Sequence, residues 1–117
     1  MVTKLKNNSE YLEYIRNGMK ENFSNWKEST ASCLGEPNNN FQISFVKELY
    51  KIEFIKDKGL LESNIYFNNE LIRLGYLRYN EILEKIPIQE NRWRLSVCTE
   101  LIDFYLDFLK SYFFRKE

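Results

Sequence analysis

The sequence contains no histidine, and among its 117 residues there are only two cysteines, two prolines and four glycines. Without an imidazole there is no Ser-His-Asp or Cys-His catalytic arrangement, no HExxH metal site and no Glu-x-x-His pair of a di-iron bundle. The glycines are scattered singly, so a GxGxxG motif and a phosphate-cradling loop are absent as well. We therefore expect no metal, no cofactor and no enzymatic activity.

The two cysteines, Cys33 and Cys98, lie far apart in the sequence, and neither has a second cysteine nearby. This spacing excludes a CxxC redox pair and argues against a zinc site in a chain without histidine. Free cysteine is among the residue types most often buried in proteins. We expect two buried free thiols in a protein of the reducing cytoplasm.

An excess of charge of one sign is also missing, because 17 Lys and Arg residues balance 17 Asp and Glu residues. A nucleic-acid clamp, a polybasic membrane binder or an acidic tail would need such an excess. The longest apolar stretch, residues 101–114, is interrupted by three charged residues and is shorter than the roughly 20 residues that span a bilayer. Residues 1–8 contain no apolar segment of a secretory signal. These features predict a soluble, cytoplasmic protein without membrane contact.

Apolar residues recur at three- and four-residue steps in four parts of the sequence, which is the pattern of helices that bury one face. The predicted helices cover residues 9–34, 41–55, 63–86 and 89–115. Within the first of them, Gly18 predicts either a close packing partner or a local bend. A chain of 117 residues is long enough to bury one hydrophobic core. The sequence thus predicts a single helical domain over residues 1–117, an all-α antiparallel bundle of about four helices.

The second predicted helix has an alternative interpretation. Residues 41–45 and 50–54 alternate between apolar and polar side chains as strands do, and residues 56–59 form a turn signal. A helix is favoured because a single length of roughly 17 residues suits a helix better than a strand. The alternative is an α+β fold with a short hairpin around residues 41–60.

The last predicted helix carries the pattern that most suggests a function. Glu100, Asp103 and Asp107 follow one another at steps of three and four residues, so their carboxylates project from one polar strip of the helix. Phe104 and Phe114 border this strip with apolar side chains. We interpret these five residues as a candidate surface that binds a basic partner protein. The alternative interpretation is the ordinary solvated face of an amphipathic helix.

Aromatic residues are abundant, with eight Tyr, nine Phe and two Trp. Aromatic side chains dominate the hot spots of protein interfaces. Some of them are therefore expected at a contact, either with a partner protein or with a second copy in a homodimer. The alternative is an aromatic-rich core that buries these rings.

Arginines interleaved with aromatic residues give a second functional hypothesis, a helical nucleic-acid-binding regulator. The arginines are Arg73, Arg78, Arg92 and Arg94. Positions five residues apart are turned about 140° from each other on a helix, so these side chains form no continuous basic stripe. Nucleic acid therefore ranks behind protein as the expected partner.

In its size, its solubility, its all-helical pattern and its lack of catalytic groups, the chain is similar to the small helical immunity proteins with which bacteria neutralise toxic nuclease domains. Those proteins bind a basic toxin through an acidic helix face. The resemblance rests on this general character and on no diagnostic motif. It implies a protein-binding module, an immunity or antitoxin-like inhibitor that blocks a basic toxin domain, with Glu100, Asp103 and Asp107 contacting the basic groups.

Overall fold

The computed structural model describes residues 3–33, 40–72 and 96–114, and this part of the chain has an α+β fold. The elements in chain order are helix α1 (Asn8–Asn22), strands β1 (Lys27–Cys33), β2 (Phe41–Lys47), β3 (Tyr50–Asp57), β4 (Leu60–Phe67) and β5 (Glu70–Ile72), and helix α2 (Thr99–Phe114). Asn7 caps the first helix by accepting a hydrogen bond from the backbone N–H of Glu10 at 2.9 Å.

The five strands form one antiparallel sheet in which each strand pairs with the next along the chain. Two-residue turns join β2 to β3, β3 to β4 and β4 to β5. Lys58 and Gly59 have positive φ, as do Asn68 and Asn69, and this backbone conformation matches the twist of a tight hairpin. In the first turn, Glu48 has a φ of 55°.

The core lies between one face of the sheet and the two helices. The buried apolar side chains of the sheet are Phe41, Ile43 and Phe45 in β2, Ile52 and Phe54 in β3, and Leu61 and Ile65 in β4. Those of the helices are Tyr11, Leu12, Ile15 and Met19 in α1, and Leu101, Ile102, Tyr105, Leu106 and Leu109 in α2. The hydroxyl of Tyr105 donates a hydrogen bond of 2.9 Å to the carbonyl of Leu61, which fixes α2 against β4.

The two helices lie side by side and run in the same direction. Three contacts show this, because residue numbers rise along both helices from one contact to the next. They join Tyr14 to Asp103, Gly18 to Leu106, and Phe23 to Phe113. A Cβ atom built on Gly18 would lie 2.5 Å from Cδ1 of Leu106, so glycine permits this close approach. The prediction of a close packing partner for Gly18 is confirmed.

The predicted all-α antiparallel bundle of about four helices is wrong, because the described residues form a five-stranded sheet and two helices. The helix predicted over residues 9–34 ends at Asn22, since the polar residues Ser24 and Asn25 interrupt it and β1 follows. The helix predicted over residues 63–86 is strand as far as Ile72. The last predicted helix, residues 89–115, begins at Thr99. The parts of these predictions that fall on residues 73–95 lie outside the described residues.

The helix predicted over residues 41–55 is also wrong, because this segment forms β2 and β3. The apolar residue Leu49 occupies the turn and hides it in the sequence, since tight turns usually carry Gly, Asn or Asp. If residues 41–55 are plotted on a helix, the apolar residues of both strands fall on one wide stripe. The α+β alternative describes this segment correctly, although its hairpin belongs to a larger sheet.

The two cysteines differ in their surroundings. Neither forms a disulfide, and Cys98 is buried as expected, whereas Cys33 is exposed on β1. Neither described helix combines the length and the apolar character needed to cross a bilayer.

We predict that Gly18→Ala destabilises the fold. Alanine gains roughly 1 kcal/mol of helix propensity over glycine, but its methyl group would press on the buried side chain of Leu106, and overpacking costs about 1–3 kcal/mol. We expect a net loss of about 1 kcal/mol in the free energy of unfolding, measured with urea.

The control is the same substitution in a Leu106→Ala background, where the clash is absent. There, Gly18→Ala should raise the free energy of unfolding by up to roughly 1 kcal/mol. Stabilisation by Gly18→Ala in the wild-type background would contradict the close contact between the helices.

Candidate functional site

Glu100, the first residue of the predicted acidic strip, anchors the N-terminal segment. Its carboxylate oxygens accept hydrogen bonds from the backbone N–H and from the hydroxyl of Thr3, each at 2.7 Å. The carbonyl of Thr3 accepts the N–H of Thr99 at the start of α2, at 3.0 Å. Although burial acts in the opposite direction, the hydrogen bonds from Thr3 lower the pKa of Glu100. Glu100 is therefore already bound within the chain.

Asp103, the second residue of the strip, joins the two helices. Its Oδ1 accepts a hydrogen bond of 2.8 Å from the hydroxyl of Tyr14 on α1. Burial raises the pKa of Asp103, and the charges of Asp107 and Glu100 act in the same direction against the opposing hydrogen bond from Tyr14. Burial and the contact with Asp103 raise the pKa of Tyr14 to about 12.

The other three predicted site residues differ in their exposure. Asp107 is exposed on α2. Phe104 is half-buried, with its ring 6.2 Å from that of Tyr105. Phe114 is 45% exposed at the end of the helix. Asp103 is also exposed, but it is engaged by Tyr14, so Asp107 and Phe114 are the exposed members of the five for which no such contact is described. The assignment of all five to partner binding stays a prediction.

Phe114 belongs to a group of aromatic rings at one end of the molecule, which we call the aromatic cluster. Its members are Phe23, Trp26, Tyr50, Phe67, Tyr112, Phe113 and Phe114. Phe113 is central, with its ring centroid 5.0 Å from Trp26, 5.1 Å from Tyr50 and 5.0 Å from Tyr112. Most of these pairs meet edge to face, the geometry that aromatic quadrupoles favour.

The cluster forms where the ends of several elements converge. The N–H of Phe23 makes the last helical hydrogen bond of α1, to the carbonyl of Met19 at 2.6 Å, and the backbone of Phe23 then leaves the helical conformation. The N–H of Trp26 bonds back to the carbonyl of Phe23 at 3.0 Å. Tyr50 and Phe67 are paired across β3 and β4, with ring centroids 4.8 Å apart. The end of α2 brings the remaining rings to the same place.

The outer side of the aromatic cluster is an exposed apolar surface. Leu49 is 57% exposed, Phe67 is 43% exposed and Phe114 is 45% exposed. Leu49 adjoins Phe67 because the N–H of Asn68 bonds to the carbonyl of Leu49 at 2.9 Å, which links the two hairpin turns. We call these three residues the apolar surface. Large apolar side chains brought together at the surface are characteristic of contact sites.

Sequence reasoning found only Phe114 of this surface. Leu49 lies in one hairpin turn and Phe67 directly precedes another, and their place became visible only with the strand register. The Asn68-Asn69 pair is a hairpin signal that could have located Phe67 beside a turn. Arg73, Arg78, Arg92 and Arg94 lie outside the described residues, so the basic residues of the nucleic-acid hypothesis have no structural description.

No group of three or more Cys, Asp or Glu side chains within residues 3–33, 40–72 and 96–114 is arranged to hold a metal ion. No protein-family model, no curated protein and no solved structure matches the chain.

We predict that Asp103→Asn stabilises the protein at neutral pH more than at acid pH. The folded-state pKa of Asp103 is raised above the ordinary value of an aspartic acid, so ionisation of this carboxyl reduces folding stability as the pH rises through that range. Asparagine keeps an acceptor for Tyr14 but carries no charge. The free energy of unfolding of the variant should therefore exceed that of the wild type at pH 7, and the difference should vanish near pH 3.

Urea unfolding between pH 3 and pH 7 measures this difference. The control is Glu21→Gln, which removes an exposed carboxylate of α1 that does not act on the pKa of Asp103. The pKa of Tyr14, followed by NMR, should fall in Asp103→Asn. A difference in stability that does not change with pH would contradict the assignment.

Proposed function

We propose that the protein is a protein-binding module, an immunity or antitoxin-like inhibitor that blocks a partner protein by covering its active surface. The observation that carries the proposal is the apolar surface of Leu49, Phe67 and Phe114, which lies on an ordered aromatic base. Interfaces depend on a few aromatic or large apolar anchors that become fully desolvated in the complex. Exposing three such groups around one aromatic cluster is unfavourable for the free protein, and covering them with a partner is favourable.

The base beneath this surface supports a binding role. The ring of Phe114 stacks on buried Phe23 at 5.4 Å, and the ring of Phe67 lies against half-buried Tyr50. Side chains held in this way lose little conformational entropy when a partner binds. A rigid apolar surface suits a stable complex with a complementary protein.

The charge next to this surface favours a basic group on the partner. Asp107 lies two helical turns before Phe114 on the same side of α2. Its side chain is exposed, whereas Glu100 and Asp103 are engaged by Thr3 and Tyr14. We therefore place the main electrostatic contact at Asp107, where it steers a basic partner. A cytoplasmic setting fits the two free cysteines.

The first test replaces each residue of the apolar surface by serine. The full-length chain is tagged, its partner is isolated from the source cells at physiological salt, and affinity is measured by calorimetry. Leu49→Ser, Phe67→Ser and Phe114→Ser should each weaken binding about tenfold or more, as truncation of interface anchors does.

The matched control is Leu71→Ser, because Leu71 is also 45% exposed but lies opposite Tyr66 on the other face of the sheet. Thermal unfolding checks that each variant is folded. Equal weakening by Leu71→Ser, or no weakening by the three surface variants, would contradict the proposed surface.

Charge reversal at Asp107 tests the electrostatic part of the proposal. Asp107→Lys should slow association and weaken binding at low salt while leaving stability unchanged, because this side chain is exposed. Reversal at Glu100 or Asp103 is a poorer test, since it also removes the contacts with Thr3 and Tyr14. Retention of nucleic acid at low salt with steep loss at moderate salt would favour the nucleic-acid regulator instead.

A further inference from the structure

Strand β1 is an edge of the sheet with unusual exposure. It pairs with β2 on one side, and no described strand pairs with its other side. All seven of its residues are exposed, although β2, β3 and β4 contribute buried residues to the core. The helices therefore leave both faces of β1 and its outer edge open.

The hydrogen-bond register identifies which backbone groups point outward. Lys47 and Tyr50 close a two-residue turn, so they exchange hydrogen bonds, and every second pair along β2 and β3 does the same. The intervening residues of β2 direct their N–H and C=O groups to β1, where their partners include Thr30 and Ser32. By this alternation, Ala31 and Cys33 direct their backbone groups away from the sheet.

The residues along this edge leave the backbone accessible, because Ser29 to Cys33 are small and uncharged. Lys and Pro, which commonly protect edge strands from pairing, are absent from this stretch. The strand is also held in place. The hydroxyl of Thr30 lies 2.7 Å from that of Ser44, and Arg16 on α1 bonds to both carboxylate oxygens of Glu28, at 2.8 Å and 3.0 Å.

A cleft of about 190 Å³ lies beside β1 on the helix side of the sheet. Buried Met19, Phe23 and Phe45 contribute apolar surface to it, and the charged residues Glu13, Arg16 and Glu28 line it as well. Ala31 points to the same side of the sheet, because its register partner is the core residue Ile43. Alternate side chains of a strand added at this edge would therefore face the side that carries the cleft.

We propose that the outer edge of β1 binds an extended segment of a partner protein as an additional strand, with an apolar side chain of that segment entering the cleft beside α1. Main-chain hydrogen bonds to Ala31 and Cys33 supply affinity, and the cleft selects the side chain, as in other complexes formed by strand addition. This inference rests on the proposed function only in taking the partner to be a protein.

A second copy of the chain fits this edge less well. The register shift between Glu28 and Thr30 interrupts the edge, which leaves a short regular stretch up to Cys33. Two such stretches paired with each other would bury far less than the roughly 1,200 Å² of a stable interface. A partner segment can in addition fill the cleft, which a symmetric pairing of two β1 strands does not use.

The experiment uses the full-length chain and a phage-displayed library of random peptides of about twelve residues. Selected peptides are synthesised, and their affinities are measured for the wild type, for Ala31→Pro and for Ala31→Thr. Proline removes the outward N–H without touching the ladder to β2, and proline is tolerated on edge strands for this reason. Threonine keeps the N–H and controls for the change of side chain.

We expect Ala31→Pro to weaken binding about tenfold or more and Ala31→Thr to weaken it little. In the wild type, bound peptide should slow hydrogen exchange of the Ala31 and Cys33 amides, a measurement that stands even if the proline variant fails to fold. We also expect the selected peptides to share an apolar residue that enters the cleft.

Failure to select any peptide, equal binding to Ala31→Pro, or unchanged exchange at both amides would overturn the inference. Protection of these amides without peptide, together with a concentration-dependent dimer, would assign the edge to a second copy and also overturn it. Because this experiment does not use the cellular partner, it can fail while Phe67→Ser and Phe114→Ser still weaken partner binding, which would leave the proposed function standing.

Discussion

The close contact between α1 and α2 at Gly18 determines how the sheet is covered. Helices in contact are about 8–10 Å apart, and closer packing goes with smaller side chains at the crossing. Neighbouring strands are about 4.8 Å apart, so five strands span roughly 19 Å between their outer axes. A closer approach of the helices narrows the layer that they form, and so leaves less cover for the outer strands than a wider spacing would. The burial follows this expectation, with core residues from β2, β3 and β4 and exposed residues throughout β1.

The sequence predicted the helices better than the sheet, for a physical reason. The apolar stripes of α1 and α2 are local patterns with a helical period, and both helices exist, although each is shorter than expected. Strand β1 contains one apolar position besides cysteine, Ala31, so no alternation marks it in the sequence. Its pairing with β2 holds it in place. Strand formation here depends on partners distant in sequence, which periodicity does not record.

The geometry of the candidate site was predictable to a similar extent. The spacing of Glu100, Asp103 and Asp107 correctly placed three carboxylates along one helix. Spacing could not reveal that Thr3 and Tyr14 approach two of them, because those contacts join the ends of the chain. The abundance of aromatic residues left open an aromatic-rich core and an exposed contact, and the structure has both buried rings and the exposed rings of Phe67 and Phe114. Leu49 and Phe67 reach the apolar surface through hairpins whose position depends on strand register.

The two proposed binding features adjoin each other, and this follows from how α1 ends. Phe23 and Trp26 belong to the aromatic cluster, and Trp26 directly precedes Lys27, the first residue of the edge strand. Both residues also line the cleft beside β1. Since the same short turn positions the rings and begins the exposed edge, a single partner could contact the apolar surface and the edge without bridging the molecule. Two contacts on one partner reinforce each other, because the first raises the effective concentration of the second.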